Sequence, residues 1–393
     1  MTKASKRSYV PSADTRSNYD YIRWLDNRWV AACAKRASDA PSIISTFAGC
    51  GGSSLGYAMA GFNELMVVEW DDHAVEVFRH NFVNGPIGGD HAPIVYHGDI
   101  TTLTHETILE ACDLKPGELD IFDGSPPCQG FSTSGKRVIE DDRNFLFMHF
   151  ARLTGGLKPK AFVMENVVGM TQGRMKPTFQ KAIDVLAEQG YRVAVRILDA
   201  SWLGIPQARK RTIFIGVRND LKVNPAHLFP KPWPFRTTLR DGIADLADEP
   251  GPHCAPAGKT KELMKYIRPG RKGTDVLGLQ SGFDLKREHW NRPTRTFLKT
   301  HSPRMYAGVI HPDRWRNRYM GIHEIKRIGA FPDAYEFGTE DPDWWAGEAV
   351  LNPRAGGPDG AEKDIRNTWA RIGNSVPPLM MYEIASSIRA GLL

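Results

Sequence analysis

The stretch SIISTFAGCGGSSLG, residues 42–56, runs from an apolar segment of strand length through a glycine-rich turn into small residues that suit a helix. Glycines at such a turn let a ligand approach the backbone, and the helix start behind them offers amide donors with no partner of their own. Six more apolar runs follow: ELMVVEW (64–70), PIVYHGDI (93–100), LDIFDGS (119–125), KAFVMENV (160–167), YRVAVRILDA (191–200) and RTIFIGVR (211–218). Helical stretches alternate with them, which predicts an α/β fold: a sheet with a parallel core and helices on both faces. The rhythm stops near Val223. From 224 to 345 the chain is rich in Pro, Gly and Arg with weak periodicity, and reads as a second, smaller, irregular domain.

Residues 1–17 read as an arm and 18–38 as an amphipathic helix, with Ile22, Leu25, Trp29, Ala32 and Cys33 near helical spacing. The expected organisation is therefore an N-terminal arm and helix (1–41), a main domain (42–223), the irregular domain (224–345) and a return to the main domain (346–393). Segment 338–365 carries 7 acidic and 2 basic residues and reads as a solvent-facing insertion whose sign keeps it off a phosphate backbone. WARIGNSVPPLMMYEIASSIRAGLL, from Trp369 onward, reads as a loop and then a closing helix that starts at Pro377 or Pro378.

With 393 residues, 41% hydrophobic and 24% charged, the chain is composed like a globular protein, which excludes a mostly disordered one. No run of about 18 apolar residues occurs, and the start, MTKASKRSYVPSADTRS, lacks a signal peptide's apolar stretch, so no membrane partner and a cytoplasmic location are expected. Five cysteines, at 33, 50, 112, 128 and 254, never form C-x-x-C; neither a disulfide framework nor a metal site is expected, and Cys128 reads as a free thiol. The net charge of +6 is concentrated: residues 222–320 hold 19 Lys plus Arg against 9 Asp plus Glu, +10 locally and −4 for the rest. Basic residues there alternate with aromatics and prolines (KPWPFR, KYIRPGRKG, KREHWNRPTR, HPDRWRNRY). That pattern suits a polyanion, with Arg268, Arg271, Lys272, Arg292 and Arg295 as cations toward its phosphates, although charge alone fits a merely basic surface equally well.

The unusual residues converge. Phe47 to Gly52 follow the first predicted strand, Glu69 ends the second, Asp99 follows the third, Cys128 follows the fourth and Glu165 ends the fifth. All lie at carboxyl ends, the edge of an open parallel sheet where ligands bind. Glu69, about 20 residues after the glycines, is placed to accept ribose hydroxyls. Trp70 could cover an adenine and Asp99 could accept from its amine, which together favour an adenosine cofactor while leaving NAD open. Pro126 and Pro127 exclude a strand or helix interior at Cys128, so the thiol sits on a rigid loop. A free thiol has pKa about 8.5, lowered by a helix N-terminus or a cation, which makes a thiolate reachable. Glu165 can supply the acid partner that a thiolate needs to add to an unactivated ring.

These residues resemble the DNA cytosine carbon-5 methyltransferases, and most of the chain follows that family's order: FAGCGG, EW, GDI, PPCQGFS, ENV, QARKR (207–211), a variable region, the RPT to FPD stretch, and RIGNSVPP. The resemblance implies a Rossmann-like S-adenosylmethionine-dependent methyltransferase sheet, a target-recognition domain at 224–345, S-adenosyl-L-methionine as methyl donor, and a flipped cytosine in double-stranded DNA as acceptor. It implies catalytic roles for Cys128, Glu165, Arg209 and Arg211, the arginines holding the base and the catalytic loop. It implies cofactor contacts by Phe47, Gly49, Gly51, Glu69, Trp70, Asp99, Ile100, Ser125, Pro127, Leu146 and Asn374, and DNA contacts by Ser134 and Gln207. Glu165 would act with a pKa raised by burial. A monomer is expected, alone or beside a cognate restriction endonuclease. Ser45 and Thr46 depart from the family, standing where an Asp-Leu pair usually precedes the turn. An RNA methyltransferase, an inactive DNA-binding relative and an NAD-dependent oxidoreductase are the alternatives; the long basic region, the intact Cys128, Glu165, Arg209 and Arg211, and PPCQ respectively weigh against them.

Overall fold

The computed structural model describes residues 19–89, 91–127, 146–246, 254, 256, 258–277, 285–297, 309–337 and 361–393. Cys128, Ser134 and most of the acidic 338–365 stretch lie outside the described residues. In chain order the elements are α1 (Tyr21–Cys33), β1 (Ser42–Thr46), α2 (Gly52–Met59), β2 (Asn63–Glu69), α3 (Asp72–Phe78), β3 (Ile94–His97), α4 (His105–Ala111), β4 (Ile121–Gly124), α5 (Leu146–Leu157), β5 (Ala161–Val167), α6 (Lys176–Glu188), β6 (Tyr191–Asp199), β7 (Gln207–Ala208) and β8 (Lys210–Arg218). Then come α7 (Leu239–Ile243), α8 (Gly258–Met264), α9 (Gly273–Leu277), β9 (Lys286–Arg287), β10 (Thr294–Arg295), β11 (Val309–Ile310), α10 (Ile322–Ile328), α11 (Ala361–Asn374) and α12 (Pro378–Gly391).

Seven strands form one sheet in the order β3-β2-β1-β4-β5-β8-β6. The first five run parallel, and β8 lies antiparallel between β5 and β6. Strand side chains alternate between faces, and the sequence uses both. Ile43, Ile121, Val163, Ile213 and Ile215 enter one core. Their neighbours Ile44, Phe122, Phe162, Met164 and Phe214 enter the other. The first core is roofed by α1, α2, α10 and α12; the second by α4, α5 and α6. Double burial explains why the runs read as continuously apolar rather than alternating. The expected α/β sheet is therefore present.

One expectation needs correcting. WARIGN, read as loop, is the last part of α11, and the loop proper is only Ser375 to Pro377. Trp369 and Ile372, three residues apart, are buried on one side of that helix, a pair too short to stand out as a period in the bare sequence. The main core also takes in residues of the 224–345 stretch. Leu228, Trp233, Leu239, Met320, Ile325, Phe331 and Tyr335 belong to the main core, whereas Met264, Ile267, Leu285, Ile310 and Tyr319 make a small separate cluster. The lobe with its own centre is thus narrower than the irregular stretch of sequence.

The C-terminal helix meets α2 backbone to backbone. A Cβ built on Gly56 would lie 2.4 Å from the Pro378 carbonyl oxygen and 2.8 Å from the Tyr382 nitrogen. Gly56→Ala should therefore cost about 1–3 kcal/mol through overpacking, read as a lower chemical-denaturation midpoint with an unchanged slope; wild-type stability would show that α12 can retreat.

Candidate active site

Register brings the strand tips level. Thr46 pairs with Val68 on one side and with Gly124 on the other, and Gly124 pairs with Met164. One residue further on, Phe47, Glu69, Ser125 and Glu165 emerge side by side on one rim. The rim includes the gap between β1 and β4, where the strand order reverses.

The turn after β1 is shaped by left-handed backbone at Phe47 (φ 55°), Gly49 (56°) and Gly51 (87°). For a residue with a Cβ such a conformation is strained, and at Phe47 it marks a constrained ligand turn. Gly51 is crowded: a Cβ there would lie 2.6 Å from the Phe82 ring. Gly49 has nothing within 4 Å of an added Cβ, so open space lies over it. The Glu69 carboxylate is buried beside the turn, accepting from the Gly49 N–H (2.7 Å) with Oε2 and from the Trp70 and Asp71 N–H groups (2.9 and 3.0 Å) with Oε1. Trp70 projects into solvent, 73% exposed. Asp99 is exposed, its Oδ1 taking the Thr101 N–H (2.8 Å), and Ile100 is buried beneath it. An open cradle, an oriented acid, a free aromatic face and an exposed acceptor fit an adenosine-bearing cofactor.

Asn374, exposed, closes α11. Its helix is brought to the rim by an ion pair of Arg371 with Asp71, and Ser375 packs on Gly52, where a Cβ would lie 1.9 Å from the Ser375 Oγ. Tyr335 donates to the Cys50 carbonyl, so the FPD segment also braces the turn. Leu146 starts α5, and Pro127 is half-buried beyond β4.

The β4 tip is laced to its neighbours. Thr46 Oγ1 donates to the Asp123 carbonyl (3.1 Å), Ser125 Oγ to the Phe47 carbonyl (3.4 Å) and Asn166 Nδ2 to the Pro126 carbonyl (3.2 Å). The Asp123 side chain, buried, accepts from Ser53 Oγ (2.7 Å) and the Tyr57 hydroxyl (3.3 Å) on α2. Burial pushes its pKa up to about 7, the Ser53 and Tyr57 hydrogen bonds pulling against this and the Glu165 charge adding to it. Behind it Glu64, pushed up by burial to about 8, faces the Ser45 and Ser54 hydroxyls. Of the two departures from the family pattern, Ser45 thus faces a buried acid and Thr46 ties β1 to the β4 backbone. Neither Asp123 nor Asn166 was singled out from sequence; the signal for Asp123 was an acid inside the apolar run LDIFDGS.

Glu165 is buried and ion-paired: Arg211 Nε lies 2.6 Å from its Oε1. The register accounts for this, since Arg211 pairs with Val167, two residues beyond Glu165 on the adjacent strand. The acid expected to be buried thus has a cation as its neighbour. Arg209 is fully buried and turned elsewhere, donating to the carbonyls of Phe297 (3.1 Å) and Gly373 (2.9 Å). Desolvation holds its pKa well below the usual arginine range, with the Arg211 charge acting in the same direction.

Of the expected DNA contacts, Arg268, Arg271, Lys272 and Arg292 are exposed. Arg295 is half-buried with its Nε 3.6 Å from Glu288, and Gln207 is buried, its amide donating to the Ile328 carbonyl (3.4 Å). Both are internal supports here, because β7 and β10 pair at the base of the small lobe.

Sheet order and rim together define a Rossmann-like methyltransferase. The chain belongs to the C-5 cytosine-specific DNA methylase family, whose model matches residues 42–350, and it is a DNA cytosine-5 methyltransferase. It is 32% identical to the type II methyltransferase M.DdeI of Desulfomicrobium norvegicum, over 88% of each chain. It is 30% identical to M.XorII of Xanthomonas oryzae, over 90% of this chain and 85% of that one. A DNA modification methyltransferase encoded within an E. coli prophage superposes with a TM-score of 0.66 at 25% identity, over 90% of this chain and 99% of that one. Entamoeba histolytica EhMeth shares the fold, with a TM-score of 0.61 over 90% of this chain and 99% of that one, at 16% identity.

Asp123 generates a pH prediction. A carboxyl whose folded pKa is raised keeps its proton after the unfolded chain has lost its own, so stability falls as pH rises from about 4 to about 7 and levels off above. Asp123→Asn removes that contribution, worth at most about 1.4 kcal/mol per pH unit. Its melting temperature relative to wild type should climb across that window; a constant difference would mean that the buried acid is already ionised.

Proposed function

We propose that the protein transfers a methyl group from S-adenosyl-L-methionine to carbon 5 of a cytosine flipped out of a specific duplex DNA site, through a covalent adduct at Cys128. The observation that carries the reading is the Asn166–Pro126 hydrogen bond, 3.2 Å, which ties the residue after Glu165 to the loop that leads two residues later to Cys128. Elimination supports the nucleophile. Burial pushes Cys50 up to about 12 and Cys112 up to about 11, and raises Cys33 and Cys254 as well, so none of these four thiols suits attack at neutral pH.

The bound cofactor would supply an electrophilic methyl on a sulfonium sulfur, held by the Gly49 cradle, Glu69, Trp70, Asp99 and Asn374. The Cys128 thiolate adds to carbon 6, and the ring electrons pass to carbon 5, which attacks the methyl. Loss of the carbon 5 proton to a base then expels the thiolate and restores the aromatic ring. Glu165 serves ring nitrogen 3 by donating a proton or hydrogen bond while the adduct exists. Arg211 fixes one of its oxygens. Flipping costs a few kcal/mol, offset by phosphate contacts of the basic lobe through Arg268, Arg271, Lys272 and Arg292. The type II relatives favour a role in restriction–modification, with a cognate endonuclease as the partner activity.

A duplex bearing 5-fluorocytosine at the target blocks the final proton loss. With S-adenosylmethionine it should trap a denaturant-stable protein–DNA complex that Cys128→Ser abolishes and Glu165→Gln slows by about 10²–10⁴-fold. Bisulfite sequencing of DNA from an expressing host supplies the target site. A cofactor-dependent adduct that survives Cys128→Ser would refute the assignment.

A further inference from the structure

Two aromatic rings of the small lobe stand in water: Trp315 is 95% exposed and Tyr266 61%. Both rise from turns closed by one side chain. Arg287, itself fully buried, donates to the carbonyls of Met264 (2.8 Å) and Ile267 (2.7 Å), which bracket Tyr266. It also donates to the carbonyls of His311 (3.0 Å) and Asp313 (2.9 Å) and to Asn317 Oδ1 (2.7 Å), which bracket Trp315. A planar guanidinium fork fixes the direction of all five bonds, so the two turns are held to one frame. Asp313 Oδ1 accepts the Trp315 backbone N–H (3.0 Å), stiffening the tip. Burial pulls Arg287 down to about 10, a desolvation cost that the lobe bears to keep this shape. Exposed cations share these segments: Arg268, Arg271 and Lys272 follow Tyr266, and Arg314 precedes Trp315.

An indole held out on a braced turn, with a second exposed ring and several exposed cations on the same small lobe, offers a partner a flat apolar face bordered by positive charge. The surrounding positive charge selects a polyanion with flat apolar faces between its charges. Resting on the reading above that the substrate is duplex DNA, we propose that Trp315, supported by Tyr266, is a non-ionic DNA contact. Its ring lies against sugar or base edges, while Arg268, Arg271, Lys272 and Arg314 take the flanking phosphates. This places a binding determinant on a tip that one buried arginine holds out.

The contact predicts a separation that charge alone does not. With a mixed-sequence duplex and S-adenosylhomocysteine present, Trp315→Ala should weaken binding about tenfold or more and leave the slope of log affinity against log salt unchanged. Arg314→Ala should reduce that slope by about 1. The cofactor-product affinity and the melting temperature of both variants should match wild type, and Trp315→Phe should recover most of the loss. Trp315→Ala binding DNA within twofold of wild type overturns the proposal and leaves the methyltransferase reading intact. Wild type that binds S-adenosylhomocysteine but no duplex overturns both. A concentration-dependent dimer abolished by Trp315→Ala would assign the ring to a second copy of the chain and also overturn the proposal.

Discussion

The β4 tip sits between the glycine turn after β1 and the end of β5, and it must hold both in register. Strand pairing holds it only as far as Gly124, opposite Thr46 and Met164. Beyond that point, control passes to side chains: Ser125 reaches back to Phe47, and Asn166 reaches across to Pro126. Asp123 holds the inner side by bonding Ser53 and Tyr57 on α2. Since α2 begins where the glycine turn ends, the same carboxyl ties that turn to the β4 tip, and a shift of β4 would move both.

Such lacing is expensive in desolvation, and the chain bears it in a consistent way. Arg36 donates to the carbonyls of Ala31, Ala32 and Ala34, closing the end of α1. Arg209 joins the strand carrying Arg211 to Phe297 and to Gly373 at the end of α11, and Arg287 gathers five acceptors in the small lobe. Each guanidinium satisfies carbonyls that regular secondary structure would otherwise have paired. In Pro- and Gly-rich stretches, where β9, β10 and β11 are two residues each, these arginines do the work of a ladder. Removing one would strand several buried acceptors at once.

That division explains what could be read in advance. The sheet, its rim and the order of motifs along it were legible because each strand is a doubly buried apolar run whose glycine or acid appears at one end. Phe47, Glu69, Asp99 and Glu165 follow directly from this, and the structure sets them on one edge. The fate of individual cations was not legible. Arg209 and Arg211 are two residues apart in the same basic string, yet one is a buried staple and the other faces Glu165. The difference comes from partners about 90 and 160 residues away in sequence, and no local pattern encodes it. Likewise WARIGN is helical because Trp369 and Ile372 find the core, not because its own residues favour a helix.

The electrostatics of the rim follow from the same placement. Glu165 is ion-paired with Arg211 and lies near Arg209, whose hydrogen bonds go to carbonyls. Asp123 lies on the next strand, its own ionisation opposed by burial and by Glu165. Two guanidinium groups, Arg211 and Arg209, stand against the carboxyl groups of Glu165 and Asp123 at this corner, and burial pushes Asp123 up to about 7, so that its protonation makes the corner more positive. Positive potential is the sign that favours a thiolate and draws in a phosphate backbone. Burial and the bonds donated by Ser53 and Tyr57 pull the ionisation of Asp123 in opposite directions, the first toward the neutral acid and the second toward the carboxylate.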